Sequence, residues 1–178
     1  ARKVLDDLPR YRIATSVMSD TTFQTLREEK GISYNGGVEL GTHNHPNAWS
    51  FNGSVTTDPV NVAIANQVFD TVMRAGGDAY SDQEIAAGLA MGKFSALTGN
   101  TDVDTRINGY VARIIRGQKV SDQQQLIERV KQLTPQEIRD TIDEIAAIAS
   151  TQPRYEHRTS SAEGIGHVDT IVQPYEIM

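Results

Sequence analysis

Residues 26–34 read Leu-Arg-Glu-Glu-Lys-Gly-Ile-Ser-Tyr and combine a helix end, a glycine stop and the start of a strand. Before them, residues 5–29 carry an approximate helical stripe of apolar side chains, and Gly31 provides a stop for that helix. Pro9 falls inside the stripe, so the helix can begin there. The stripe consists of Leu5, Leu8, Ile13, Val17, Phe23 and Leu26. This stretch predicts a helix that runs directly into a sheet.

Two strand-like runs follow the glycine. Residues 33–42 and 48–56 both place apolar or aromatic residues at alternate positions, as in a half-buried strand. Residues 42–47, Thr-His-Asn-His-Pro-Asn, join the runs with turn-forming chemistry. The simplest arrangement is an antiparallel pair. Gly36-Gly37 in the first run predicts a bulge or the close approach of another backbone.

From Asp58-Pro59, which predicts a cap and a first turn, the pattern becomes helical. Two capping boxes, Ser81–Glu84 and Thr134–Glu137, mark helix starts. The predicted helices cover residues 60–74, 81–97, 101–116, 121–133 and 138–148. Strands and helices that do not alternate indicate an α+β fold, with an antiparallel-rich sheet and helices on one face. We expect a single domain over residues 1–178, with its core at about 5–148. Residues 151–178 form an irregular tail, in which 168–177 is an edge-strand candidate because of Pro174.

The bulk composition excludes several classes of function. The chain has 178 residues, 38% hydrophobic and 22% charged, which is ordinary for a globular domain. A net charge of −6 and a pI near 5.2 argue against general nucleic-acid binding. No apolar run approaches the roughly 18 residues of a membrane span. The absence of cysteine rules out disulfides and thiolate metal sites. The composition is compatible with any cellular compartment.

The run from Arg27 to Tyr34 resembles the second, substrate-gripping domain of the pitrilysin/insulinase/processing-peptidase family of zinc peptidases. There, a helix that ends in Arg-Glu-x-x-Gly-x-x-Tyr leads into a strand. The resemblance covers roughly residues 5–148 and includes the paired strands and both capped helix starts. The polar stretch 151–163 stands where the family has an apolar strand, which implies a shortened, clam-half-like domain.

The resemblance implies a non-catalytic partner domain that grips peptide substrate through Arg27 and Tyr34. A guanidinium can donate two hydrogen bonds to a carbonyl or carboxylate, and a phenol can donate to an oxyanion. Zinc is expected on a catalytic half, carried by the same precursor or by another subunit, that attacks the peptide with a metal-activated water. A second copy of this chain is the other expected partner.

The chain itself carries no catalytic and no metal residue in this interpretation. The family's His-x-x-Glu-His does not occur, and Pro153 stands where the segment ending in Glu156-His157 would need its first histidine. We therefore expect no enzyme activity from the chain alone. His43 and His45 alternate and could share one strand face, but a solvated turn explains them without a metal.

Three alternatives remain at this stage. The chain could be an inert scaffold of the same fold, as in the core proteins of respiratory complexes. It could also be an unrelated α+β binding module. Finally, Arg27 could simply pair with Glu28 or another surface acid while Tyr34 fills a strand face.

Overall fold

The computed structural model describes residues 7–42, 49–98, 122–151, 154–160 and 166–172, the last two ranges through their backbone. The turn expected at 42–47, with His43 and His45, and the helix expected at 101–116 lie outside the described residues, apart from Thr42. Each helix in the described ranges is too short or too polar to span a bilayer.

Up to residue 151 the described elements follow the predicted order of helices and strands, and two further strands come after it. The first helix continues as a π-helix, and two 3₁₀ turns precede later helices. In chain order the elements are α1 (Leu8–Gln24), the π-helix (Thr25–Glu29), β1 (Gly36–Thr42), β2 (Trp49–Thr57), a 3₁₀ turn (Pro59–Asn61), α2 (Val62–Arg74), a 3₁₀ turn (Gly77–Ala79), α3 (Asp82–Thr98), α4 (Asp122–Gln132), α5 (Pro135–Thr151), β3 (Arg154–Ser160) and β4 (Gly166–Val172).

The four strands form one antiparallel sheet in the order β1-β2-β4-β3. The predicted pairing of the first two strands is confirmed, with Gly36 opposite Val55. The prediction of an irregular tail with an edge strand is wrong for the described residues, because β4 lies between β2 and β3 and β3 takes the edge. Pro174, on which the edge-strand prediction was based, lies outside the described residues.

The core lies between one face of the sheet and the helices. Along β2, Phe51 and Val55 are fully buried, whereas Asn52 and Ser54 between them are only half-buried. We call the half-buried side the outer face and the other the core face. The largest buried side chains come from both layers and include Tyr11, Val17, Met18, Phe51, Val55, Phe69, Ile85, Ile138, Ile142 and Ile145. This arrangement confirms the α+β class.

Both predicted capping boxes are present. The backbone N–H of Ser81 donates to Glu84 Oε2 at 2.7 Å, and the N–H of Glu84 donates to Ser81 Oγ at 3.2 Å. The Ser81 hydroxyl also donates to Glu84 Oε2, at 2.6 Å, and this bond, followed by the one from the Ser81 N–H, lowers the pKa of Glu84. Thr134 and Glu137 make the same reciprocal pair at the start of α5. Asp58, in contrast, makes no side-chain cap bond, and only its backbone oxygen joins the first turn, where it accepts the N–H of Asn61 at 2.9 Å.

One face of α5 holds the turn between α2 and α3. Arg139 donates to the backbone oxygens of Gly77 and Tyr80, both at 2.7 Å, and the N–H of Gly77 donates to Asp143 Oδ1 at 2.8 Å. Each charged hydrogen bond of this kind contributes about 1.5–3 kcal/mol. We call Arg139 and Asp143 the α5 clamp. Their hydrogen bonds fix the backbone that carries Tyr80, a residue that is 3% exposed.

We expect Tyr80→Phe to raise the free energy of unfolding by about 1–2 kcal/mol at pH 8, because the buried Tyr80 hydroxyl finds no partner among the described residues. Burial, with a smaller effect of Glu84, raises the pKa of Tyr80 to about 12. In the unfolded chain the phenol ionises near pH 10, so the folded protein should lose about 2–3 kcal/mol as the pH rises from 10 to 12.

Urea denaturation at pH 8, 10, 11 and 12 measures both effects. The Tyr80→Phe variant should lose less stability above pH 10 than the parent does. Tyr34→Phe is the matched control, since its ring is exposed and should change neither value. Equal pH slopes for the parent and Tyr80→Phe would contradict the role of burial.

Candidate functional site

The turn between the first helix and β1 is built by its backbone. The N–H of Lys30 donates to Thr25 O and that of Ile32 to Leu26 O, both at 3.0 Å. Gly31 has a φ of 63°, the left-handed conformation that glycine adopts at helix ends. Leu26, 1% exposed, fastens the last turn of the helix to the core. The predicted glycine stop is therefore confirmed.

Arg27 lies on the surface before this turn. Its guanidinium carbon is 5.4 Å from the centroid of the Phe23 ring, a cation–π contact that orients the group. The guanidinium forms no ion pair or hydrogen bond with any described residue, so the expected alternative of a pair with Glu28 is wrong within that part of the chain. Its N–H donors therefore have no partner among the described residues.

Tyr34 lies after the turn and is 90% exposed. The strand predicted from residue 33 begins only at Gly36, so Tyr34 precedes the sheet and does not fill a strand face. The reason is Gly36 itself, whose φ of 151° breaks the extended run that the alternating pattern suggested. The structure therefore places both predicted site residues on the surface, on opposite sides of Gly31.

The loop that carries Tyr34 is fastened to the end of β2. The Ser33 hydroxyl, 7% exposed, donates to Thr56 O at 2.6 Å, and the Thr57 hydroxyl donates to Ile32 O at 2.6 Å. The side-chain oxygen of Asn35 accepts a hydrogen bond from the N–H of Thr56 at 3.1 Å. These bonds on both sides of Tyr34 hold its backbone in place. Sequence reasoning missed Ser33 and Asn35, although their small polar side chains next to a glycine turn are typical of such anchors.

A cavity of about 330 Å³ begins beside this loop, between α1 and the first two strands. Ser19, Gly36, Gly37, Glu39 and Ser54 belong to its lining. The Ser19 hydroxyl accepts a hydrogen bond from the N–H of Val38 at 3.2 Å and so covers part of the free edge of β1. A side chain at Gly37 would collide with this hydroxyl. Of the two alternatives expected at Gly36-Gly37, the bulge is absent, because β1 and β2 pair in unbroken register from Gly36 to Thr42, and the close neighbour of Gly37 is the side chain of Ser19.

No three histidine, aspartate or glutamate side chains form a metal-binding group within the part of the chain whose side chains are described. The site at the turn therefore offers donors and an aromatic ring, without a described water-activating group. A scan against protein-family models finds no match, and searches of curated proteins and of solved structures find no significant match either. A functional proposal for this chain therefore rests on the residues of its own site.

Proposed function

We propose that this chain is the non-catalytic partner domain of a zinc-dependent peptidase and binds its peptide substrate through Arg27 and Tyr34. Zinc and the His-x-x-Glu-His motif belong to a catalytic half in the same precursor or in a separate subunit. The observation that carries the proposal is the exposure of these two side chains, one before and one after the Gly31 turn. Among the described residues, the Tyr34 side chain makes no hydrogen bond, and the Arg27 guanidinium makes only its contact with the Phe23 ring.

Both groups suit peptide hydrolysis. A guanidinium donates in a fork that matches a peptide carbonyl or a terminal carboxylate, and a phenol donates to the oxyanion that forms when water attacks the peptide. One such donor contributes about 3–4 kcal/mol to transition-state stabilisation when it is held in place. The loop anchors Ser33 and Asn35 supply that preorganisation for Tyr34, because they restrict its backbone before substrate arrives.

A second candidate is an inert scaffold subunit of the same fold. It is favoured by large apolar side chains that are exposed on α3, namely Met91, Phe94 and Leu97, at 64%, 63% and 59%. Exposed apolar groups of this size mark association surfaces. Such a surface fits a permanent assembly as well as the joining of two peptidase halves, so the decisive difference is peptide cleavage.

The experiment combines the full chain with the His-x-x-Glu-His protein that is fused to it or encoded beside it, and follows cleavage of an unstructured quenched-fluorescent peptide. Cleavage should need both proteins and should stop when a chelator removes zinc. The matched control is a catalytic half whose motif glutamate is changed to glutamine, which should bind this chain without cleaving. A catalytic half that is fully active alone contradicts the proposal, and a stable complex without cleavage identifies the scaffold.

A further inference from the structure

The pairing of the last two strands brings together residue types that bind metals. His157 on β3 is directly opposite Asp169 on β4. His167 lies two residues before Asp169 on the same strand, opposite Thr159. Because successive residues of a strand alternate between faces and opposed residues share one, His157, His167 and Asp169 occupy the same face of the sheet.

Sheet geometry sets the spacing of these three positions. Directly opposed residues have Cβ atoms about 4.5–5.5 Å apart, and diagonal neighbours such as His157 and His167 are about 7–8 Å apart. Residues two apart along a strand are separated by about 6.5–7 Å. An imidazole and a carboxylate both extend several ångströms beyond Cβ, and a zinc ion needs ligands at about 2.0–2.2 Å. Three positions at these spacings can converge on one cation.

The register with β2 tells which face the three positions occupy. Asp169 is opposite Ser54 and His167 is opposite Thr56, both half-buried residues of the outer face. Val168, between them, is opposite Val55, which is 1% exposed on the core face. The three positions therefore lie on the outer face of the sheet.

The arginines of β3 occupy the other set of positions. Arg154 and Arg158 alternate with His157 and so belong to the core face of the sheet, away from the three candidate ligands. Among the described strand residues, the register places no lysine or arginine on the same face as the three positions. Two histidines and one aspartate form a ligand set typical of zinc and of other first-row divalent metals.

We propose that His157, His167 and Asp169 form a site for a divalent first-row metal ion, zinc first, on the outer face of the sheet. The sequence alone predicted no metal residue, because residues 154–160 and 166–172 were not recognised as a paired unit. The site concerns only the residues of this chain and stands without the peptidase proposal.

The test is titration of the metal-free full chain with zinc chloride at pH 7.5, followed by calorimetry. We expect one ion per chain. His157→Gln, His167→Gln and the isosteric Asp169→Asn should each weaken binding at least about tenfold, since even the loss of an outer-shell partner costs 10–100-fold. Binding should also weaken as the pH falls below about 6, because imidazole must be neutral to bind metal.

The matched control is the His43→Gln/His45→Gln double variant, which removes the other two histidines and should bind zinc as the parent does. Loss of binding in that control, or equal binding by the parent and all three single variants, would overturn the proposal. A cross-strand ion pair between His157 and Asp169 without metal affinity would overturn it as well. Circular dichroism of each variant shows that the fold is kept, and cobalt(II) absorption of the parent reports whether nitrogen and oxygen ligands surround the ion.

Discussion

If the proposed peptidase assembly is correct, Arg27→Ala and Tyr34→Phe should each lower its kcat/KM by roughly 100- to 1,000-fold, the effect of losing one oxyanion donor. The physical reason is that, in the proposed contact, each substitution removes a donor whose partner is present only when substrate is bound. Tyr34→Phe keeps the ring and removes only the hydroxyl, so its effect reports the proposed hydrogen bond to substrate separately from packing by the ring. Arg27→Lys keeps the charge and deletes the fork, and it should recover only part of the activity.

The controls separate substrate contact from stability. Arg27 and Tyr34 are both exposed, so the midpoint of thermal unfolding should not change in any of these variants. Arg74→Ala is the matched substitution, because Arg74 is also an exposed arginine at a helix end, 3.9 Å from Asp70. It should leave kcat/KM at the parent value. An unchanged kcat/KM for both Arg27→Ala and Tyr34→Phe would contradict the proposed contact of these side chains with substrate.

Phe69→Ala is expected to lower the free energy of unfolding by about 3–5 kcal/mol, the usual loss for a buried phenylalanine. Phe69 on α2 is 0% exposed and packs over Gly53 in the middle of β2. For a chain of this length the loss corresponds to a fall of roughly 6–20 °C in the unfolding midpoint. Urea and thermal denaturation measure it. Val60→Ala is the control, since Val60 is 82% exposed and should change little.

Gly53, which lies against the Phe69 ring, allows a second substitution whose effect on stability should depend on Phe69. A Cβ at Gly53 would lie 2.7 Å from Phe69 Cδ1, so Gly53→Val should also destabilise, by about 1–3 kcal/mol, through overpacking. In the double variant the valine enters the space that the ring leaves. We expect the double variant to be more stable than the sum of the single losses predicts. Strict additivity would show that the two positions do not share one packing site.

Local patterns were sufficient for the helix ends and for the first strand pair. Ser81 with Glu84 and Thr134 with Glu137 are close in sequence, so their reciprocal hydrogen bonds follow from the spacing alone. Gly31 ends the helix for an equally local reason, its left-handed backbone. The position of Arg27 and Tyr34 around that glycine was predictable for the same reason, because both lie within a few residues of it.

Pairing across long distances in sequence was not predictable in this way. The alternation of 154–160 and 166–172 is weak, and the interior place of β4 depends on its contact with β2, more than a hundred residues earlier. The placement of His157 opposite Asp169 belongs to the pairing of β3 with β4, and only the register of β4 with β2 assigns both positions to the outer face. The burial of Tyr80 under the α5 clamp likewise requires Arg139 and Asp143 to arrive from a distant helix.

The amino-acid sequence by itself determined the capped starts of two described helices, the glycine stop of the first helix, which residues lie on either side of that glycine, and that a short antiparallel pair follows it. These features rest on hydrogen bonds and backbone preferences between neighbours in the chain. Only the tertiary structure decided the strand order, the loop anchors on β2, the exposure of Tyr34 and the shared face of the two histidines and the aspartate. Those features depend on which segments pack together. Side-chain periodicity shows which face of a strand or helix is buried, but it does not show which other segment covers that face.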